Sequence, residues 1–436
     1  MAIPSDPAAL PLPLERDPQC AEHVMGTLVA RWTPLDETAR RDAAALHAAA
    51  TASPNPVLFV AVHHGNFPSL ECLAPGLAAC GHTPLAVYLH GDPPRQVFAR
   101  AWSCGGSLSR LAALVDALPP GTPVYLQAHA RWIWLGPLIA ALRPGEPLIQ
   151  EIWDWMSAFV EPTRAQAFVD DGVFTASELA TMQRVEPWVR SGTSGFVHKH
   201  GGTALDAVVA GASALQLRFF PALPREWAHA PGSREVGPWR LVHVGQIKSA
   251  SASRRAFGDL VLAELFHGLT RQGMYVAAHP GVTGVAAEDP LADYAALARR
   301  DHAFTLHAHL PLRRLVDALT GQHDFGLLLY RVEPELAVGR THLRIALASK
   351  LFTYLAAGLP VLVSPELETM AALVRDHGVG LVVAADELPR LRARLDGCDL
   401  RGMQRAVAAA QSIFHTQAFV DGVAAMLRRV SQTSPP

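Results

Sequence analysis

The 436-residue sequence predicts an α/β protein of two Rossmann-like, doubly wound domains that face each other across a cleft. Three observations carry that expectation. Short apolar, β-branched runs recur, each followed by turn residues and a helical stretch; a Pro- and Gly-rich stretch interrupts the series near its middle; and the same alternation then restarts at Arg240. Strands separated by helical crossovers imply parallel sheets covered on both faces. A chain of this length also exceeds one comfortable core.

The first series runs "VLFVAV" (57–62), "PLAVYL" (84–89), "PVYLQA" (123–128), "PLIQEIW" (147–153), "GFVHKH" (195–200) and "ALQLRFF" (214–220). The second runs "RLVHVGQIK" (240–248), "MYVAAHPG" (274–281), "FTLHAHL" (304–310), "FGLLLY" (325–330), "LPVLVS" (359–364) and "VGLVVA" (379–384), with amphipathic stretches between. These signals place a first domain at 1–225 with an N-terminal helical extension, a linker at 226–239, a second domain at 240–412 and a closing helix at 413–436. In such sheets, ligands meet the C-terminal strand ends and helix N-termini.

Composition removes several function classes. Half of the residues are hydrophobic and the net charge is −2, with both signs mixed along the chain, which gives no nucleic-acid surface. No apolar run reaches the roughly 18 residues a membrane span needs, and the N-terminus has no secretory pattern. The chain is therefore expected in the cytoplasm, with peripheral contact at the inner face of the membrane left open. Five dispersed cysteines offer neither a disulfide framework nor a zinc pattern, so no metal is expected.

Lysine usage is the sharper signal. Only Lys199, Lys248 and Lys350 accompany the arginines among 37 basic residues. An ammonium is a compact charge that approaches phosphate without the planar demands of a guanidinium. Lys350 stands at the start of "SKLFTYLAAGLPVLVSP" (349–365), where a helix beginning near Ala346–Ser349 would aim free amides and its dipole at an anion. Gly358 then ends that helix in a left-handed turn and Pro360 blocks its continuation.

That segment, with the order of elements over 240–385, resembles the donor domain of GT-B glycosyltransferases of the family 4 type, which carry a motif of the form K-L-x-E-Y-x-A-x-G-x-P-V-I. The resemblance covers the C-terminal half well and the N-terminal half by architecture alone. It implies a nucleotide-diphosphate sugar as substrate rather than any cofactor, an acceptor held by the first domain, and a last helix that returns toward that domain. Implied donor contacts are Ser349 and Lys350; Thr353, standing where the family commonly has a ribose-binding glutamate; Gly245, Gln246 and Lys248 after the first strand; His309 and Leu310 as a wall for the base; and Tyr330 and Arg340. Arg254, Arg255, Glu333 and Glu335 are further loop candidates. Ile345 stands where the first glutamate of the E-x7-E pair would be.

The first domain presents polar groups at successive strand ends: His63, His64 and Gly65; His129; Asp154; and His198, Lys199 and His200 before Gly201 and Gly202. Asp154, His64 and His129 are the candidates for acid–base work. His63, Gly65, His198 and Lys199 are acceptor candidates, with Trp132 and Trp155 supplying flat apolar surface near the cleft mouth. The reading is transfer of a sugar, with retention, to a glycan, lipid-linked or protein acceptor. A non-hydrolysing sugar-nucleotide epimerase and a catalytically silent GT-B partner subunit are the alternatives.

Overall fold

A computed structural model describes residues 6–7, 10, 12, 18–63, 69–92, 97–128, 130–232, 237–250, 255–281 and 291–433. Two all-parallel sheets form, because strands buried on both faces need crossovers that place helices on each side. The first holds β1 (Pro56–His63), β2 (Thr83–His90), β3 (Arg100–Ser103), β4 (Val124–Gln127), β5 (Leu148–Ile152), β6 (Gly195–His198) and β7 (Leu215–Arg218), in the order β3-β2-β1-β4-β5-β6-β7. The second holds β8 (Arg240–Gly245), β9 (Tyr275–Pro280), β10 (Phe304–Leu306), β11 (Phe325–Leu328), β12 (Val361–Val363) and β13 (Gly380–Val382), in the order β10-β9-β8-β11-β12-β13. Both orders reverse beside their first strand. Each sheet thus has a crevice at its C-terminal edge, at β1/β4 and at β8/β11.

The two edges meet. After β5 the chain runs through the short helix Met156–Phe159 into a bridge of Val160 with Val338, flanked by Glu161 N donating to Ala337 O (3.0 Å) and Gly339 N donating to Phe159 O (2.8 Å). After β6, Gly201 N donates to Ile345 O at 2.8 Å. The loop after β8 crosses in the other direction, with Phe257 packed edge-on against Phe168 at 5.7 Å and Ala256 N donating to Asp171 Oδ2 at 2.8 Å. One apolar cluster runs through this junction from the first domain into the second. The helix Thr416–Thr433 closes the opposite face of the first sheet, where Phe419 stacks on Phe219 at 4.2 Å and Val420 fills the space left by the bare Cα of Gly76.

Gly339 shows how tightly the domains are joined. A Cβ there would lie 2.1 Å from the Ala158 carbonyl oxygen, a backbone atom fixed by the bridge. Gly339→Ala is expected to destabilise the protein by about 1–3 kcal/mol through overpacking. Gly268, whose added methyl meets nothing within 4 Å, is the control; Gly268→Ala should be neutral or stabilising in a helix. Urea unfolding of both variants checks this, and a Gly339→Ala midpoint equal to wild type would refute a tight junction.

Candidate active site

Gly245 ends β8 with φ +92°, a conformation that disfavours a side chain, and the empty space above its Cα is taken by Lys350. A Cβ would sit 3.2 Å from Lys350 Cε and 3.4 Å from its Nζ. Lys350 itself is the second residue of the helix Ser349–Ala356, whose N-cap, Ala348, provides no side-chain cap. The ammonium lies 5.2 Å above the ring of Tyr330, and Tyr330 N is anchored by donating to Ser364 Oγ at 3.0 Å. Burial pulls the Lys350 pKa down to about 8, with Asp259 opposing the shift and Lys199 adding to it. Asp259 is buried, and burial raises its carboxyl to about 7 despite the opposing pull of a backbone N–H and of Lys350. Tyr330, Ser364, Glu264 and Glu333 line a groove of about 760 Å³ along the ends of β11 to β13.

Facing this, the first domain presents Asp154 and Lys199. Asp154 follows β5, keeps 31% of its side chain exposed, and places Oδ1 3.6 Å from Lys199 Nζ. The Lys199 ammonium also rests 4.7 Å over the Trp153 ring. The same Asp154 oxygen lies 4.0 Å from His200 Nε2 and 4.0 Å from His342 Nδ1, the latter arriving from the second domain on the helix Arg340–Ile345. Both imidazoles are held uncharged, with burial the leading cause: His200 is pushed well below the usual histidine range and His342 down to about 4.

The remaining candidates fall into several environments. Lys248 is buried with its ammonium 5.8 Å from the Phe257 ring, and burial lowers its pKa, while neighbouring Gln246 is exposed. His309 is exposed with Nδ1 3.4 Å from Pro280 O, Leu310 is half-buried beside it, and Ser349 and Arg340 are exposed at their helix starts. Arg255 pairs with Asp170 at 3.2 Å and Glu333 with Arg331 at 2.6 Å, whereas Glu335 is exposed. His63 stacks on His90 at 5.0 Å at the ends of β1 and β2. His198 is buried with Nε2 2.7 Å from the Gln216 amide nitrogen, and burial lowers it to about 4. His64, Gly65, His129 and Arg254 lie outside the described residues.

Two expectations are corrected by packing. Trp155 is fully buried edge-on against Phe196, and Trp132 is buried between Trp134 and His90, so neither offers an open face to an acceptor. Thr353 is buried too, and its hydroxyl donates back to Ser349 O at 3.2 Å, one turn earlier, which spends the donor within the helix.

Comparison with known proteins agrees with this architecture. Residues 285–426 match the family of glucosyltransferase 3-like C-terminal domains. No curated protein matches the chain by sequence. Among solved structures, Anabaena HepE in complex with UDP-glucose is similar over 87% of this chain and 98% of its own, at 12% identity and a TM-score of 0.56. The chain has the GT-B fold. A second GT-B structure, a trehalose-6-phosphate synthase studied for glycosyl transfer with retention, is similar over 85% of this chain and 99% of its own, at 12% identity and a TM-score of 0.54. Two residues of this GT-B junction have no signature in the sequence. Asp259, in "FGDL", and His342, in "GRTHLR", become notable only through burial and through the contact between domains.

Proposed function

We propose that the protein is a glycosyltransferase that moves a sugar from a nucleotide-diphosphate donor held by the second domain to an acceptor hydroxyl held by the first. The observation that carries this reading is Lys350, a half-buried ammonium at an uncapped helix start, beside the bare backbone of Gly245 and at the sheet's crevice. Free amides, a helix dipole and a full charge converge there on a place suited to a diphosphate. The fold shared with HepE, seen with UDP-glucose, supports the donor class.

In this reading the bond from the anomeric carbon to the diphosphate oxygen breaks as Lys350 and the helix amides stabilise the charge on the departing nucleotide. Asp154 accepts the proton of the acceptor hydroxyl as the new glycosidic bond forms, and the Lys199 ammonium pairs with the carboxylate at 3.6 Å. We assign retention, so the hydroxyl attacks on the face that the diphosphate leaves once the bond to it has largely broken; a GT-B neighbour has been studied for that outcome. The acceptor is a glycan, a lipid-linked acceptor or a protein, and the membrane's inner face is where a lipid-linked acceptor would be met. Among the described residues no helix is long and apolar enough to cross a membrane.

A thermal-shift screen of nucleoside diphosphates and their sugars tests the reading. A ligand at 100 times its Kd should stabilise the protein by about 2.7 kcal/mol. Absence of any shift across the common nucleotides would overturn it, and conversion of a nucleotide sugar without acceptor would favour epimerisation.

A further inference from the structure

We propose that Asp154, His200 and His342 form a binding site for one divalent transition-metal ion that bridges the two domains. Their ligand atoms all lie within 4.8 Å of one another. Asp154 Oδ1 is 4.0 Å from each imidazole nitrogen. Tetrahedral Zn²⁺ with bonds of about 2.0–2.1 Å has ligand–ligand edges of about 3.3 Å, so sub-ångström shifts of each side chain close the site.

The second observation is what the imidazoles lack. His200 is 0% exposed and neither of its ring nitrogens has a hydrogen-bond partner; His342 Nδ1, aimed at the same carboxylate oxygen, has none either. Buried polar atoms are normally partnered. Two unsatisfied nitrogens, His200 Nε2 and His342 Nδ1, beside one carboxylate oxygen are a donor set a metal ion would use. Two imidazoles with a single carboxylate suit Zn²⁺ or Co²⁺, whereas Mg²⁺ and Ca²⁺ demand more oxygens. The part-exposed side of Asp154 supplies the entry path.

Lys199 sets the affinity. Its ammonium, 3.6 Å from the same oxygen, neutralises the carboxylate when no ion is bound and must yield when one is. Removing that competitor should therefore tighten metal binding, an effect opposite to that of removing a ligand. Occupancy would tie His342 of the second domain to two residues of the first and withdraw Asp154 from an acceptor hydroxyl, so the ion would act as an inhibitor of transfer.

The test is titration of the chain, prepared without an affinity tag, with Zn²⁺ in competition with a chromophoric chelator, and with Co²⁺ followed by its visible spectrum. One ion per chain is expected. His342→Gln and Asp154→Asn should each weaken binding by at least about 100-fold, beyond the loss typical of an outer-shell partner. Lys199→Met should strengthen it. Because His200 lies deep in the core, the decisive comparison is between wild type, His342→Gln and Lys199→Met. No saturable binding in the micromolar range, or a His342→Gln variant that binds like wild type, would overturn the site. Nucleoside-diphosphate binding measured near pH 7 on wild type and His342→Gln should be equal, which separates failure of this site from failure of the donor reading.

Discussion

Asp154→Asn is expected to lower single-turnover transfer by roughly 10²–10⁴-fold, the span for a lost acid–base group, with donor affinity nearly intact. The substitution keeps shape and hydrogen bonding and removes only the charge. That charge stands at the C-terminal edge of the first sheet, just after β5. Its neighbours are the ammonium of Lys199 at 3.6 Å and the imidazoles of His200 and His342, each 4.0 Å away. Lys199, only 11% exposed, loses its counter-charge in the variant, so a fall in Tm is also expected. Measuring Tm, nucleotide affinity and single-turnover transfer on one preparation distinguishes the two roles. A variant that melts lower yet transfers at the wild-type rate would make Asp154 structural and end its part in the reaction.

Much of the fold is legible because parallel strands covered on both faces read as unbroken apolar runs, as β1 and β2 do at "VLFVAV" and "PLAVYL". The strand β3, "RAWS", is not legible because it is a four-residue edge strand with no fully buried position, so nothing in its composition separates it from a loop. Lys350 stands out through lysine scarcity and the helix punctuation at Gly358, whose φ of +76° is the left-handed turn that glycine permits. Tryptophan misleads for the opposite reason. An indole serves a core and a sugar platform equally well, and only the packing of Trp155 on Phe196 decides. Thr353 misleads because its helix face looks the same from sequence whether its hydroxyl turns outward or back onto Ser349. His342 and Asp259 depend on contact between segments far apart in the chain, and no local pattern encodes that.

The second large effect is expected at Lys350, where alanine should weaken nucleoside-diphosphate binding by about 1.5–3 kcal/mol, or roughly 10- to 150-fold, the range for a hydrogen bond to a charged group. The pH dependence follows from its surroundings. Lys350 faces Asp259 and Lys199 as charged groups, with Tyr330 beneath it and His243 behind, and burial dominates, bringing its pKa from 10.5 to about 8. An ammonium is needed to meet phosphate, so wild-type affinity should be full below about pH 8, fall as pH rises through it, and binding near that pH should take up a proton. The effect on folding has the opposite sense. Between about 8 and 10.5 the unfolded chain binds this proton and the folded one does not, so this group's cost to stability is fully present below pH 8 and is relieved as pH rises through that window. Calorimetry near pH 7 and near pH 9 separates charge from packing: wild type should lose affinity at the higher pH, and Lys350→Ala should be weak and flat at both. Equal affinity of variant and wild type near pH 7 would remove Lys350 from the donor site and with it the main support for diphosphate recognition there.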